Sequence, residues 1–173
     1  MTPSDYIFEL DWDIDIDNLL RLINSPVEPG MKVHQRSVEL DPYLISLREK
    51  FPILSPTWNI YKFGPYDGLP PHIDGKRKSA INIPLIGSEN SITKFFSSKD
   101  KIVSYYDETR VLHAITSELK EEFSFTLSKP TLINNSVPHS VRAGPTTRII
   151  ISWSISDLDF YQARDYFIAA LQQ

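Results

Sequence analysis

Short strands separated by turn residues run from residue 57 to residue 155, two helical patterns stand ahead of them, and one amphipathic helix follows. Those three observations predict a mostly β fold with flanking helices: a double-stranded β-helix, or double-layered jelly roll, with its N-terminal and C-terminal helices packed outside. The chain has 173 residues, the size of one ordinary domain, and shows no internal repeat, low-complexity segment or interdomain linker. Residues 1–173 are therefore expected to fold as one unit.

The elements follow in order. From Tyr6 to Ile16 the even positions are Tyr6, Phe8, Leu10, Trp12, Ile14 and Ile16, and acids fill the odd positions from Glu9 to Asp17. That alternation predicts a strand with one buried face and one acidic, solvated face whose charge protects an edge. The Asp-x-Asp-x-Asp run is not a calcium loop, because Ile16 stands where glycine is required and Leu22 where the last glutamate is required. Asp17-Asn18 is expected to cap a short helix carrying Leu19, Leu20, Leu22 and Ile23, ended by Ser25-Pro26. Residues 27–33, with Pro29-Gly30, read as a loop. Asp41-Pro42 opens a second helix, with Asp41 as cap and proline at its first position, running to about Lys50 before Pro52. Both helices are expected to buttress a sheet.

Beyond residue 57, Trp58, Ile60 and Lys62 share one strand face and Asn59, Tyr61 and Phe63 the other, with turns at Gly64-Pro65 and Asp67-Gly68. Residues 64–71 are expected to be a mobile strip. A strand over 79–86 ends at Gly87, and 91–96, 101–106, 111–115, 123–127, 131–133 and 147–155 complete eight or so strands. Residues 159–171 close the chain as an amphipathic helix, with Phe160, Ala163, Phe167, Ala170 and Leu171 near one stripe.

Composition narrows the function. An apolar fraction of 41% and a charged fraction of 23% are those of a soluble globular protein, and a net charge of −4 disfavours a polyanion binder, so nucleic acid is not the expected partner. With no cysteine there is no disulfide, thiolate metal site or cysteine nucleophile. The first twenty residues lack a basic stretch followed by an apolar core, and no run approaches a membrane span. A cytoplasmic location without membrane contact is the expectation.

The chemistry centres on residues 58–84. In extended backbone, residues two apart share a face, so His72 and Asp74 can aim at one metal. His139, in a β-branched, Pro-punctuated run, supplies a third ligand. Two imidazoles and one carboxylate leave three positions of an octahedral iron open, the arrangement associated with non-haem Fe(II) oxygenases. Nine residues on, Arg148 heads an apolar strand and offers the fixed fork that suits a carboxylate.

His72-x-Asp74, then His139, then Arg148 at the head of Ile149-Ile150-Ile151 resembles the signature of the 2-oxoglutarate and Fe(II)-dependent dioxygenases, over residues 58–155. The resemblance implies that His72, Asp74 and His139 bind iron and that Arg148 pairs with the distal carboxylate of 2-oxoglutarate. It implies hydroxylation of an unactivated C–H bond by O2, with release of succinate and CO2. Asp74 bears on that outcome, since halogenating members lack the carboxylate. A compact core suits a small-molecule or protein side-chain substrate, such as a free amino acid or a prolyl or asparaginyl side chain. Prolyl hydroxylases of this kind often carry lysine where this chain has Arg148, which points away from that subgroup.

Other residues are candidates by position. Arg148, Ile150, Ser152 and Ser154 share a face by period two, and a barrel-lining arginine without a carboxylate partner is costly. Arg142, three residues after His139, points away from that histidine's face. Where many relatives carry a hydroxyl two positions past the arginine this chain has Ile150, so Ser152 or Thr147 takes that part. Tyr61 is a second donor to the cosubstrate carboxylate or else a core tyrosine, and Asn82 contacts cosubstrate or substrate or else bonds locally. Lys76, Arg77 and Lys78 either attract an acidic substrate or, as is usual for a charged hairpin tip, are simply solvated, and His34 and His113 read as structural or exposed. Two other readings keep the same pocket: a non-catalytic jelly-roll protein binding a metal or small ligand, and a cupin-type enzyme or hydrolase using another metal. The second is weakened by the absence of a His-x-His pair.

Overall fold

The computed structural model describes residues 2–23, 32–37, 41–74, 77–98, 103–107, 110–114 and 118–172, with segments 32–37, 103–107 and 110–114 described by their backbone. A 3-10 turn over Pro3–Asp5 leads into β1 (Ile7–Glu9), α1 (Ile16–Leu22), β2 (Lys32–Ser37), α2 (Pro42–Lys50), β3 (Leu54–Phe63), β4 (Gly68–His72), β5 (Ser79–Ile86) and β6 (Ile92–Ser98). Then come β7 (Val103–Asp107), β8 (Arg110–Ala114), β9 (Leu119–Phe125), β10 (Thr131–Asn134), β11 (His139–Arg142), β12 (Arg148–Ile155) and α3 (Phe160–Leu171).

Six strands form one sheet in the order β1-β10-β5-β12-β3-β2 and four form a second in the order β4-β11-β6-β9, while β7 and β8 make a hairpin. All pairings are antiparallel. From β3 to β6, and again from β9 to β12, the chain alternates between the two sheets at every step. That alternation is the double-stranded β-helix predicted from the sequence, and three helices flank it.

The helices lie on one face of the larger sheet. Trp58 and Ile60 of β3, Ile81 and Ile83 of β5, Leu132 of β10, and Ile151 and Trp153 of β12 join Leu19 of α1, Leu44 and Leu47 of α2, and Phe160, Ala163 and Phe167 of α3 in one buried cluster. Trp12 and Phe51 meet edge to face in the same cluster, with ring centres 4.8 Å apart. The opposite face looks toward the smaller sheet. There Ile133 of β10, Phe95 of β6 and Tyr6 form a second apolar cluster that joins the two layers.

Several expectations about elements are revised. The 6–16 segment does alternate in burial, with Leu10, Trp12 and Ile14 buried and Asp11, Asp13 and Asp15 exposed. It is paired as strand only over Ile7–Glu9, because its neighbour β10 begins at Thr131 and the last contact is Leu10 N donating to the Pro130 carbonyl. The cap of α1 is Asp15 rather than Asp17-Asn18: its carboxylate accepts from the backbone N–H of Asn18 at 2.9 Å. Asp41 and Pro42 open α2 as predicted, with Asp41 accepting from Tyr43 and Leu44. Of the expected 27–33 loop, Lys32 and Val33 belong to β2; Ser25-Pro26 and Pro29-Gly30 lie outside the described residues.

Residues 64–71 are not a loose strip. A turn over Gly64 to Asp67 leads into β4, which pairs with β11. The strand Gly-Leu-Pro-Pro-His escapes detection because two prolines cannot donate to a ladder, yet β4 is an edge strand that pairs on one side only. Gly68 is needed there, since a Cβ would come within 2.0 Å of the Val141 carbonyl oxygen. Among the described residues there are twelve strands rather than eight. No helix among them is long and apolar enough to cross a membrane.

Candidate metal centre

Strand pairing brings the two histidines together. β4 and β11 run antiparallel with His72 directly opposite His139, and their ring centres are 4.3 Å apart. Asp74 lies two residues past His72, beyond the end of β4, where its backbone N–H donates to the Asn135 carbonyl in the turn ahead of β11. Ligand atoms of His72, Asp74 and His139 all fall within 4.8 Å of one another, so the three could hold a metal ion.

The donor set fits a metal in its details. Nδ1 of His72 is 2.8 Å from the Pro70 carbonyl oxygen, and Nδ1 of His139 is 2.9 Å from that of Val137. A carbonyl oxygen only accepts, so each Nδ1 carries the hydrogen and each Nε2 keeps its lone pair for the centre. His72 Nε2 stands 3.5 Å from Asp74 Oδ1. Burial, reinforced by His72 and only partly opposed by Asp74, pushes His139 down to about 4, which keeps this imidazole a neutral ligand at neutral pH. Burial alone would raise Asp74, but the neighbouring His72 and the charge of Arg77 prevail and hold its carboxyl well below the usual carboxylate range.

Arg77 is the residue that sequence reasoning missed. Its Nε and Nη2 donate to Asp74 Oδ2 at 3.1 and 2.6 Å, and its Nη1 donates to Ser152 Oγ at 3.0 Å. Burial works against the guanidinium, yet Asp74 and Tyr61 outweigh it and the pKa is raised. The one signal available was spacing, with a cation three residues after a candidate carboxylate. Lys78 of the same basic run is exposed, and Lys76 lies outside the described residues.

Further along β12, Arg148 is 1% exposed, and its Nε and Nη1 have no hydrogen-bond partner among the described residues. Burial alone presses it down to about 10, and its one described aromatic contact is the Phe63 ring, 5.7 Å away. Ser152 sits on the same strand face two alternations on, roughly 13 Å of strand away. The registers put Asn82 and Asn59 on either side of Ser152. Tyr61 pairs with Ile150 and packs against Phe63 and the Arg77 guanidinium. Asn82 Oδ1 is a buried oxygen without a partner. Arg142 is exposed at the end of β11, away from this group. The side chains of His34 and His113 lie outside the described residues.

The inner face of the larger sheet thus carries one linked polar group, Asp74 to Arg77 to Ser152, beside the two histidines, and a buried arginine, Arg148, farther along β12. Ile150, in the position where a hydroxyl was sought, is buried between Ser152 and Arg148.

No protein-family model matches the chain, and no curated protein is significantly similar to it. Among solved structures it resembles a Pseudomonas putida prolyl-4-hydroxylase at a TM-score of 0.47 and 10% identity, over 88% of this chain and 92% of that one. An oxalate oxidase in complex with the substrate analogue glycolate matches at 0.40 and 16% identity, over 75% of this chain and 53% of that one. The coconut allergen cocosin matches at 0.42 and 10% identity, over 78% of this chain, which spans only 28% of the cocosin chain. Likenesses this distant say nothing of what this chain does; its chemistry is read from its own side chains.

Proposed function

We propose that the chain is an Fe(II)- and 2-oxoglutarate-dependent dioxygenase, one domain over residues 1–173, that hydroxylates an amino-acid or protein side chain. Arg148 is the observation that carries this reading. A guanidinium sealed from water with two unpaired donor atoms is costly, and an anion delivered to it removes that cost. In this reading a dicarboxylic keto acid binds this cation at one end and the metal at the other.

His72, Asp74 and His139 hold the iron through one atom each. Arg148 binds the distal carboxylate, Asn82 offers its free oxygen to a hydrogen-bond donor of the substrate, and Tyr61 and Ser152 lie between. Ile150 keeps water out of the same interval. When bound, Fe(II) and 2-oxoglutarate supply the activation of O2, with succinate and CO2 as by-products. The composition, acidic overall and free of cysteine, supports a cytoplasmic setting and a partner other than nucleic acid.

The test is an anaerobic titration with Fe(II) and then 2-oxoglutarate, following the visible charge-transfer band of a chelated keto acid. The band is expected in the wild type, absent in Asp74→Ala, and shifted to higher 2-oxoglutarate concentration in Arg148→Ala. Keto-acid consumption is expected to vanish in His72→Ala and Asp74→Ala; full activity in either sinks the ligand assignment. Metal binding without the band defeats the cosubstrate role of Arg148 and leaves a metal-binding jelly roll or an enzyme using another metal.

A further inference from the structure

Three open positions matter to the reading above, and Asp74 alone can reduce them. A carboxylate that chelates through both oxygens takes two positions on an octahedral ion, leaving two for a keto acid that needs two and an O2 that needs one. Asp74 also stands past the end of β4, where its backbone N–H donates to the Asn135 carbonyl, so the strand does not extend to its side chain.

Arg77 addresses both points. Two of its donors engage Asp74 Oδ2, at 3.1 and 2.6 Å, and Oδ1 is left facing His72 Nε2 at 3.5 Å. The guanidinium is itself fixed on two further sides, by Ser152 Oγ at 3.0 Å and by the Tyr61 ring, whose centre is 5.8 Å from Cζ. Its planar fork can grip one oxygen twice and a second group at once, with all three bonds held in one plane, a geometry an ammonium does not have.

We propose that Arg77 is a positioning residue: it occupies Asp74 Oδ2 so that Oδ1 alone is presented to the ion, and it locks that carboxylate to Ser152 and Tyr61. The inference rests on the metal-site reading above and goes beyond it, by assigning the number of positions that Asp74 takes to a residue outside the ligand set. Electrostatics alone predicts the opposite sign, because removing a cation beside a dication should tighten metal binding.

The experiment measures Mn(II) affinity and the visible Co(II) spectrum of the full chain without cosubstrate, in wild type, Arg77→Met, Arg77→Lys, Ser152→Ala and Arg148→Met. Arg77→Met is expected to weaken Mn(II) binding by about 10–100-fold and to change the Co(II) spectrum as Asp74 swings or chelates. Arg77→Lys restores the charge but is expected to leave the spectrum altered. Ser152→Ala, which removes one anchor of Arg77 and is the variant to rely on if Arg77→Met fails to fold, should show a smaller loss of the same kind. Arg148→Met should not weaken metal binding. Equal or tighter Mn(II) binding with an unchanged Co(II) spectrum in Arg77→Met, or in Ser152→Ala where that variant stands in, overturns the role of Arg77 and leaves the metal site standing. Failure of the wild type to bind either ion overturns both.

Discussion

The two faces of β12 are equally dry and entirely different. Ile151 and Trp153 face the helices, Arg148 and Ser152 face the smaller sheet, and none of the four is more than 1% exposed. On the helix side the polar atoms are few, and the Trp153 indole N–H donates to the Ser55 carbonyl at 2.7 Å, although Trp58 Nε1 stays unpaired. On the inner side Asn82 Oδ1 and two nitrogens of Arg148 are buried without partners. Apolar burial on one face stabilises the fold, and polar burial on the other detracts from stability. A period of two lets one eight-residue strand do both. The difference teaches that burial alone does not mark a core; a guanidinium left unpaired under burial, unlike the lone indole N–H of Trp58 on the helix side, marks a site.

The largest effect should come from the helix-side face. Trp153→Ala empties the centre of the main cluster and strands the Ser55 carbonyl, and is expected to lower unfolding free energy by about 3–5 kcal/mol. Chemical denaturation measures it. A loss below about 1 kcal/mol would show that the helices do not depend on this face.

Next comes acid, which should act through the inner face. His139 has a folded pKa of about 4 against an ordinary 6.5, so between those values the unfolded chain binds a proton that the folded chain refuses. The stability that this histidine contributes is therefore complete above about pH 6.5 and is lost as pH falls to about 4. The shift corresponds to about 3 kcal/mol. Denaturation of the metal-free protein across that window should show the loss, and His139→Gln should show much less of it. Equal slopes in the two proteins would mean that the inner face is wetter than its burial indicates.

Much of this contrast was legible in the residues. Alternation in β3 and β12 separated Trp58, Ile60, Ile151 and Trp153 from Tyr61, Arg148 and Ser152, because a strand's side-chain period does not depend on its surroundings. Asp41-Pro42 announced α2 because caps are local chemistry, and α3 was announced by the apolar stripe of residues 159–171, while its capping box of Asp159 and Gln162 is a finding of the structure. What stayed hidden depended on partners distant in the chain. The proline-rich β4 is a strand only because β11 lies beside it, and the paired stretch of residues 6–16 stops where β10 begins. Arg77, which looks like any basic residue after a turn, meets Ser152, a partner 75 positions away.

The smallest and most discriminating effect runs against the usual direction of a buried substitution. Arg148→Met keeps length and apolar bulk on β12 while removing a charge whose Nε and Nη1 have no partner. The mutation gives up the contact with the Phe63 ring but ends the desolvation that already presses this guanidinium down to about 10. Desolvation wins, so the ligand-free variant should be more stable than the wild type by about 1–2 kcal/mol. With 2-oxoglutarate and metal present the order should reverse, because only the wild type gains binding energy from the anion. Thermal melts with and without the keto acid decide this. A variant less stable than the wild type in both conditions would show that Arg148 is satisfied inside the protein, and the contrast between the two faces of β12 would lose its functional meaning.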